Sequence, residues 1–292
     1  MKEIGSAAQQ SVPTDLPFTV ADYWEHNKGE LIRKFQNVLW SAPGVNLESP
    51  ALTKVVSDCQ RALRRMFGRH CLEVAPLPAI VTEERLEFWA RYNLRPVFLP
   101  ELDLTEGCRL PKRWIRPNAW FYQKLWEGKI GEAIPGLVPT KLRSGWYLAD
   151  FSIGVDYNAG TQVFTNDPWA PLFERLRREK LVGKYDETPM DSRFAITNDE
   201  WIQVVLGYMS SKLGFPRGNL RLERASEFNA IGNLYDLNRG KFIMWVWLAD
   251  SFDVSFRLLG GNRGLGGLTS VNFDRYASRY WHVASRPLVV LS

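Results

Sequence analysis

The sequence predicts an α+β fold, with helices toward the N-terminus followed by a small sheet decorated with long loops. Three observations predict it. Apolar residues recur at helical spacing as far as about residue 67. Beyond about Val81 that period gives way to short apolar pieces separated by Gly, Pro, Asn and Asp turns. A few helices then interrupt many short strands and irregular connections.

Residues 1–16, rich in Ser, Gln and Pro, read as a loosely attached lead-in. Thr19 can cap a helix from about Ala21 to Trp40, with Tyr23, Trp24, Leu31, Phe35 and Leu39 on one stripe, ended by Ser41-Ala42-Pro43-Gly44. Ser49 can cap a second, from about Pro50 to Phe67, with Leu52, Val55, Val56, Cys59, Leu63 and Met66 on one face. Pro50 in its first turn and Gly68 past its end are the expected asymmetry. These helices define an N-terminal helical accessory region over 1–81. In the second region, 82–292, a short helix over Thr82–Tyr92 leads to a strand between prolines, Leu94–Pro100. Trp114-Ile115, Gly145–Leu148 and Gln162–Phe164 are further apolar pieces. Helices are expected at Pro168–Lys180 and at Asp199–Leu213, the latter capped by Thr197 or Asn198 with Trp201, Val204, Val205 and Tyr208 inward. Glu223–Tyr235, Phe242–Leu248, the Gly-rich Leu259–Leu268 and a closing strand Leu288–Leu291 complete the order.

The 292 residues, 45% hydrophobic and 13% aromatic, can bury a core in one large or two modest domains. Twelve Trp, each needing a partner for its N–H when buried, point to a rigid and irregular interior. The net charge of +5 is scattered except for Arg61, Arg64, Arg65, Arg69 and His70, which read as a solvated helix face rather than a nucleic-acid contact. Cys59, Cys71 and Cys108 are odd in number and lack paired spacing, so neither a disulfide framework nor a zinc knuckle is indicated and a reduced setting fits. No secretory leader and no apolar run of bilayer length is visible. A cytoplasmic location is expected, or a virion if the chain is phage-encoded.

Sites of chemistry are scarce. Gly260–Gly267 lacks the Gly-Lys-Ser/Thr ending and the strand–helix context of a phosphate loop, and reads as turns where backbones pass closely. His26, His70 and His282 lie far apart, so no three-His or HExxH site can be assembled, and no cofactor is expected. Calcium, which needs only oxygen ligands, is left open by the loop Asp and Asn residues. Glu223 and Glu227, flanked by Arg221 and Arg224, read as intrahelical buried ion pairs rather than an acid/base pair.

The most unusual segment is Asp253–Ser285. It holds no Lys, Glu, Gln or Met, although these are 42 of the 292 residues and about 42 × 33/292, roughly five, belong in 33 positions of such a chain. Asn272–Val283 mixes aromatic, charged and small polar residues much as a paratope does.

Three stretches carry a family resemblance. Arg221–Tyr235 resembles the L-P-x-x-x-E-[WF] helix of C-type-lectin folds of the formylglycine-generating-enzyme type. Trp245–Phe252 is similar to their W-E-W segment. Arg257-Leu258 with Gly260-Gly261, and the ending Ala284–Leu291, resemble the R-x-x-G-G … G-F-R-P-L-V-V ending of variable proteins diversified by diversity-generating retroelements, with Ala284-Ser285 in place of Gly-Phe. The resemblance covers about residues 82–292. It implies a C-type-lectin-like domain with an N-terminal helical extension and a C-terminal variable region at about 253–285. Adenine-directed mutagenesis of AAC codons yields NNC codons, which cannot encode Lys, Glu, Gln, Met or Trp, and of these only Trp281 occurs in the window.

The resulting expectation is a ligand-binding module without catalytic residues. Its variable surface is Phe256, Leu259, Asn262, Arg263, Asn272, Phe273, Asp274, Arg275, Tyr276, Ser278, Arg279, Tyr280, Trp281, His282 and Val283. Glu227, Trp247 and Arg286 serve as buried scaffold. The expected partner is a protein, with no nucleic acid and no membrane insertion. Alternatives are a phage receptor-binding or structural tip, and an oxidase-type enzyme on the same fold, which the absence of Cys from the C-terminal half disfavours.

Overall fold

A computed structural model describes residues 49–68, 72–236 and 238–291. The lead-in, the helix expected at Ala21–Trp40, and His26, Arg69, His70 and Cys71 lie outside the described residues. Backbone contacts divide the chain into Met1–Gly44 and Val45–Ser292, and every described residue belongs to the second unit.

The first helix of that unit, α1 (Pro50–Phe67), begins where expected: the Ser49 hydroxyl accepts from Leu52 N, Pro50 occupies the first turn and Gly68 ends it at φ 69°. Leu52, Cys59, Leu63 and Met66 are buried in the same core as strand β1 (Leu94–Leu99) and the later strands. The boundary drawn at residue 81 therefore cuts through a core, because the apolar stripe of α1 is one of its walls. Thr82 caps α2 (Glu83–Ala90).

Besides β1, the chain adds β2 (Leu102–Asp103), α3 (Ala119–Trp126), β3 (Ile130–Gly131), β4 (Lys141–Leu142), β5 (Gly145–Asp150) and α4 (Ala170–Arg178). Then come α5 (Asn198–Glu200), a π-helical turn (Trp201–Val205) and α6 (Leu206–Leu213) in one continuous rod. The last third holds β6 (Leu220–Leu222), α7 (Ala225–Leu234), β7 (Trp245–Phe252), β8 (Phe256–Gly261), β9 (Val271–Arg275), β10 (Val283–Ser285) and β11 (Pro287–Val290). Among the apolar pieces, Trp114-Ile115 and Gln162–Phe164 form no strand.

One sheet is antiparallel throughout, in the order β1-β5-β11-β6, with Pro96 tolerated because β1 is an edge. A second runs β10-β7-β8-β9, with β3 also on β7 and β10 parallel to β7; β2 and β4 form a separate pair. The architecture is thus mixed α+β. One core cluster lies among α1, β1, β5, β11 and the α5–α6 rod, and a second between α3, α7 and the second sheet.

Tyr208 departs from its expected inward position. A π turn holds one residue more than an α turn, so it advances the buried face by one position. Met209 is buried instead, while Tyr208 is exposed beneath the Arg175 guanidinium, 4.9 Å from its ring.

Candidate functional site

The window Asp253–Ser285 folds as the β8–β9 hairpin, a loop over 276–282, and β10. In β8 the window supplies core: Leu258 and Leu259 are buried, opposite Phe273 and Asn272 of β9. Leu259, expected on the variable surface, belongs to the core because β8 is an inner strand covered on this face. Val283 is likewise fully buried, since β10 pairs with Trp245 of β7 beneath the loop. Those two positions are corrected from surface to interior.

The remaining thirteen are exposed or half-buried. Asn272, Arg275, Arg263 and Trp281 are exposed, Trp281 by 42%. Phe256 and Phe273 are half-buried in an aromatic group with Phe252 and Trp120, Phe273 lying 4.1 Å from the Phe252 ring and 5.5 Å from Trp120. Asn262 shapes the turn: it adopts φ 68° and its Oδ1 accepts from Gly264 N. Arg263 reaches Asp156 at 3.4 Å. Tyr276, half-buried like Ser278, lies 5.3 Å from the Arg257 guanidinium. Tyr280 donates to Asp274 Oδ1 and leans on Trp247.

The loop backbone is tied from outside the window. Asn198 N donates to Tyr276 O at 3.0 Å, Tyr185 Oη to Arg279 O at 2.5 Å, Gln162 Nε2 to Trp281 O, and Trp245 N to His282 O at 2.8 Å. Arg279 grips Glu200 through both Nη atoms at 2.8 and 2.7 Å and also donates to Ala195 O. Burial alone would raise the Glu200 carboxyl, but Arg279 and backbone donors outweigh it and hold it low. Burial lowers the basicity of His282, whose ring meets Tyr157 edge-on at 6.2 Å. Tyr157, Tyr185 and Arg257 thus join this surface without having been expected there. Arg257 lies within the window; the two tyrosines come from distant loops with no local signal.

Beneath lie the scaffold residues. Glu227 receives Arg221 through both Nη atoms at 2.6 Å and Arg224 N at 2.9 Å. Burial opposes ionisation of Glu227, but Arg221 prevails and its carboxyl is held low. Trp247 Nε1 donates to Ile196 O at 3.1 Å, and Arg286 Nη1 to Asp150 O and Ser152 O at 3.2 and 2.7 Å. The Glu223 and Glu227 ion pairs are buried but not intrahelical. Helix α7 starts only at Ala225, so Glu223 precedes it and pairs with Arg239, while the partner of Glu227 sits on β6.

Other buried arginines extend this frame. Arg193 pairs with Asp150 at 2.6 Å and Asp167 at 2.5 Å, and Arg177 is spread over the carbonyls of Pro189, Met190, Ser192 and Phe194. Such pairs fix irregular loops by satisfying carbonyls that no strand or helix covers. Among the described residues no group of three or more His, Cys, Asp or Glu is placed to hold a metal ion. No helix there is long and apolar enough to cross a membrane. No family model, curated protein or solved structure matches the chain.

Proposed function

We propose that this protein is a ligand-binding module on a C-type-lectin-like domain of the formylglycine-generating-enzyme branch, with a C-terminal surface diversified by a retroelement. One observation carries the reading. Across 276–282, within the window without Lys, Glu, Gln or Met, the carbonyls of Tyr276, Arg279, Trp281 and His282 are held by residues outside the window while the side chains stay at least partly exposed. A surface of that kind can change its side chains without changing its frame, and a preordered backbone avoids the entropy cost of ordering a loop on binding.

The favoured partner is a protein. Tyr276, Tyr280, Trp281 and the arginines Arg263 and Arg275 are the residue types that anchor protein interfaces. Nothing in this reading requires turnover.

The test is at the level of the gene. A template repeat should lie beside a reverse transcriptase gene, differing from the 3′ end of this gene mainly at adenines in the codons of 256–283. A genome with no such repeat would sink the proposal.

A further inference from the structure

A cavity of about 390 Å³ is lined by Arg65 of α1, Arg95 of β1, Phe151, Asp236, Phe242 and Arg286. Three guanidiniums thus meet one carboxylate, and that carboxylate is engaged elsewhere: Asp236 Oδ1 accepts from Asn238 N at 3.1 Å and Oδ2 stands 3.6 Å from Arg239 Nε.

Arg286 is the anchor. It is only 5% exposed, and its Nη1 is committed to the carbonyls of Asp150 and Ser152. Among the described residues Nε and Nη2 have no acceptor, and the guanidinium forms no ion pair. Burial and the neighbouring Arg239 weaken its basicity, and the nearby carboxylates Asp150, Asp236 and Glu223 offset that only in part, none of them in ion-pair contact. Arg95 lies over the Phe151 ring at 5.1 Å, and Arg65 Nη2 donates to Leu234 O at 2.6 Å with further N–H groups to spare. Planar guanidinium forks match the paired oxygens of carboxylates and phosphates.

We propose that this cavity binds a small oxyanion, a carboxylate or phosphate group on a compact molecule whose apolar part lies against Phe151 and Phe242. None of the lining residues falls within Asp253–Ser285. The site thus takes no side chain from the variable surface, although Arg286 directly follows the window and the Phe242 carbonyl accepts from Arg263 N at 2.9 Å.

Inorganic phosphate and benzoate are to be titrated into the full chain at constant ionic strength maintained with chloride, followed by calorimetry and thermal unfolding. At least one should give a saturable heat and a saturable rise in Tm. Saturation with phosphate alone identifies phosphate-type ligands, and with benzoate alone carboxylate-type ones. Arg95→Gln and Arg65→Gln, both at exposed positions and so compatible with folding, should each weaken binding about tenfold. No saturable response to either probe overturns the proposal. So does saturable binding that both substitutions leave unchanged, since the anion would then sit elsewhere.

Discussion

Asp250 is buried where its charge is poorly repaid. Its Oδ2 accepts from Ala225 N at 2.6 Å, but the Arg224 Nε stands 3.7 Å from Oδ1, and burial pushes the carboxyl from its ordinary 3.8 up to about 6. A group whose folded pKa is raised contributes stability that is present below its unfolded pKa and lost as pH rises through the folded one. The advantage of wild type over Asp250→Asn should therefore shrink between about pH 4 and pH 6, by on the order of 2–3 kcal/mol. Urea unfolding of both proteins at pH 4 and pH 7 measures it, and a pH-independent difference would contradict the assignment. Arg286→Ala should cost on the order of 2–4 kcal/mol, because it leaves the carbonyls of Asp150 and Ser152 without a donor in the interior. An unchanged melt would count against that role. That Glu227, Trp247 and Arg286 would be buried was legible, since each is a polar or amphipathic residue inside an apolar local pattern. The partners of Arg177, Arg193 and Arg239 were not, because they are carbonyls and carboxylates of irregular segments and of strand ends, and burial of an arginine is decided by what the fold brings to it.

At the scale of elements, caps and stripes were readable because they are local. Ser49 and Thr197 each accept the backbone N–H expected of a cap, and Thr82, expected as the first residue of its helix, caps it instead. The π turn at Trp201–Val205 has no such signature, so the face of α6 was misplaced by one residue. The β8–β9 pair shows the same limit: Leu259 and Asn272 face each other in the register, yet one is buried and the other exposed. Leu259→Ala should cost about 2–5 kcal/mol and Asn272→Ala no more than about 0.5 kcal/mol. Equal costs in denaturant unfolding would mean that the hairpin does not separate frame from surface. The glycine-rich stretch behaves as a close passage of backbones. A Cβ on Gly240, at φ 79°, would stand 2.5 Å from Leu268 N and 2.7 Å from Gly267 C. Gly240→Ala is accordingly expected to destabilise by more than about 1 kcal/mol, through strain and clash together; a melt as high as wild type would exclude that packing.

Across Val45–Ser292, the two larger sheets share one apolar core cluster with the helices, and buried ion pairs fix irregular segments around it. Simultaneous replacement of the exposed Asn272, Arg275 and Trp281 by NNC-encodable residues should leave Tm within a few degrees, since exposed substitutions each shift stability by about 0.5 kcal/mol or less. Loss of cooperative unfolding across such a library would show that these side chains hold the fold. Measurement by differential scanning of a few dozen variants suffices.

What the sequence determined alone was whatever depends on near neighbours: the mixed α+β class, the capped helices, the scarcity of metal ligands and the peculiar composition of Asp253–Ser285. What only the tertiary structure decided was which side chains of that window are covered. Leu259 and Val283 sink beneath neighbouring strands, Phe273 stacks on Phe252 and Trp120, and Tyr157 and Tyr185 arrive from distant loops to border Trp281 and His282. The reason is physical: exposure is a property of what packs against a residue, and in this chain those neighbours come from remote segments through pairings that leave no periodic trace.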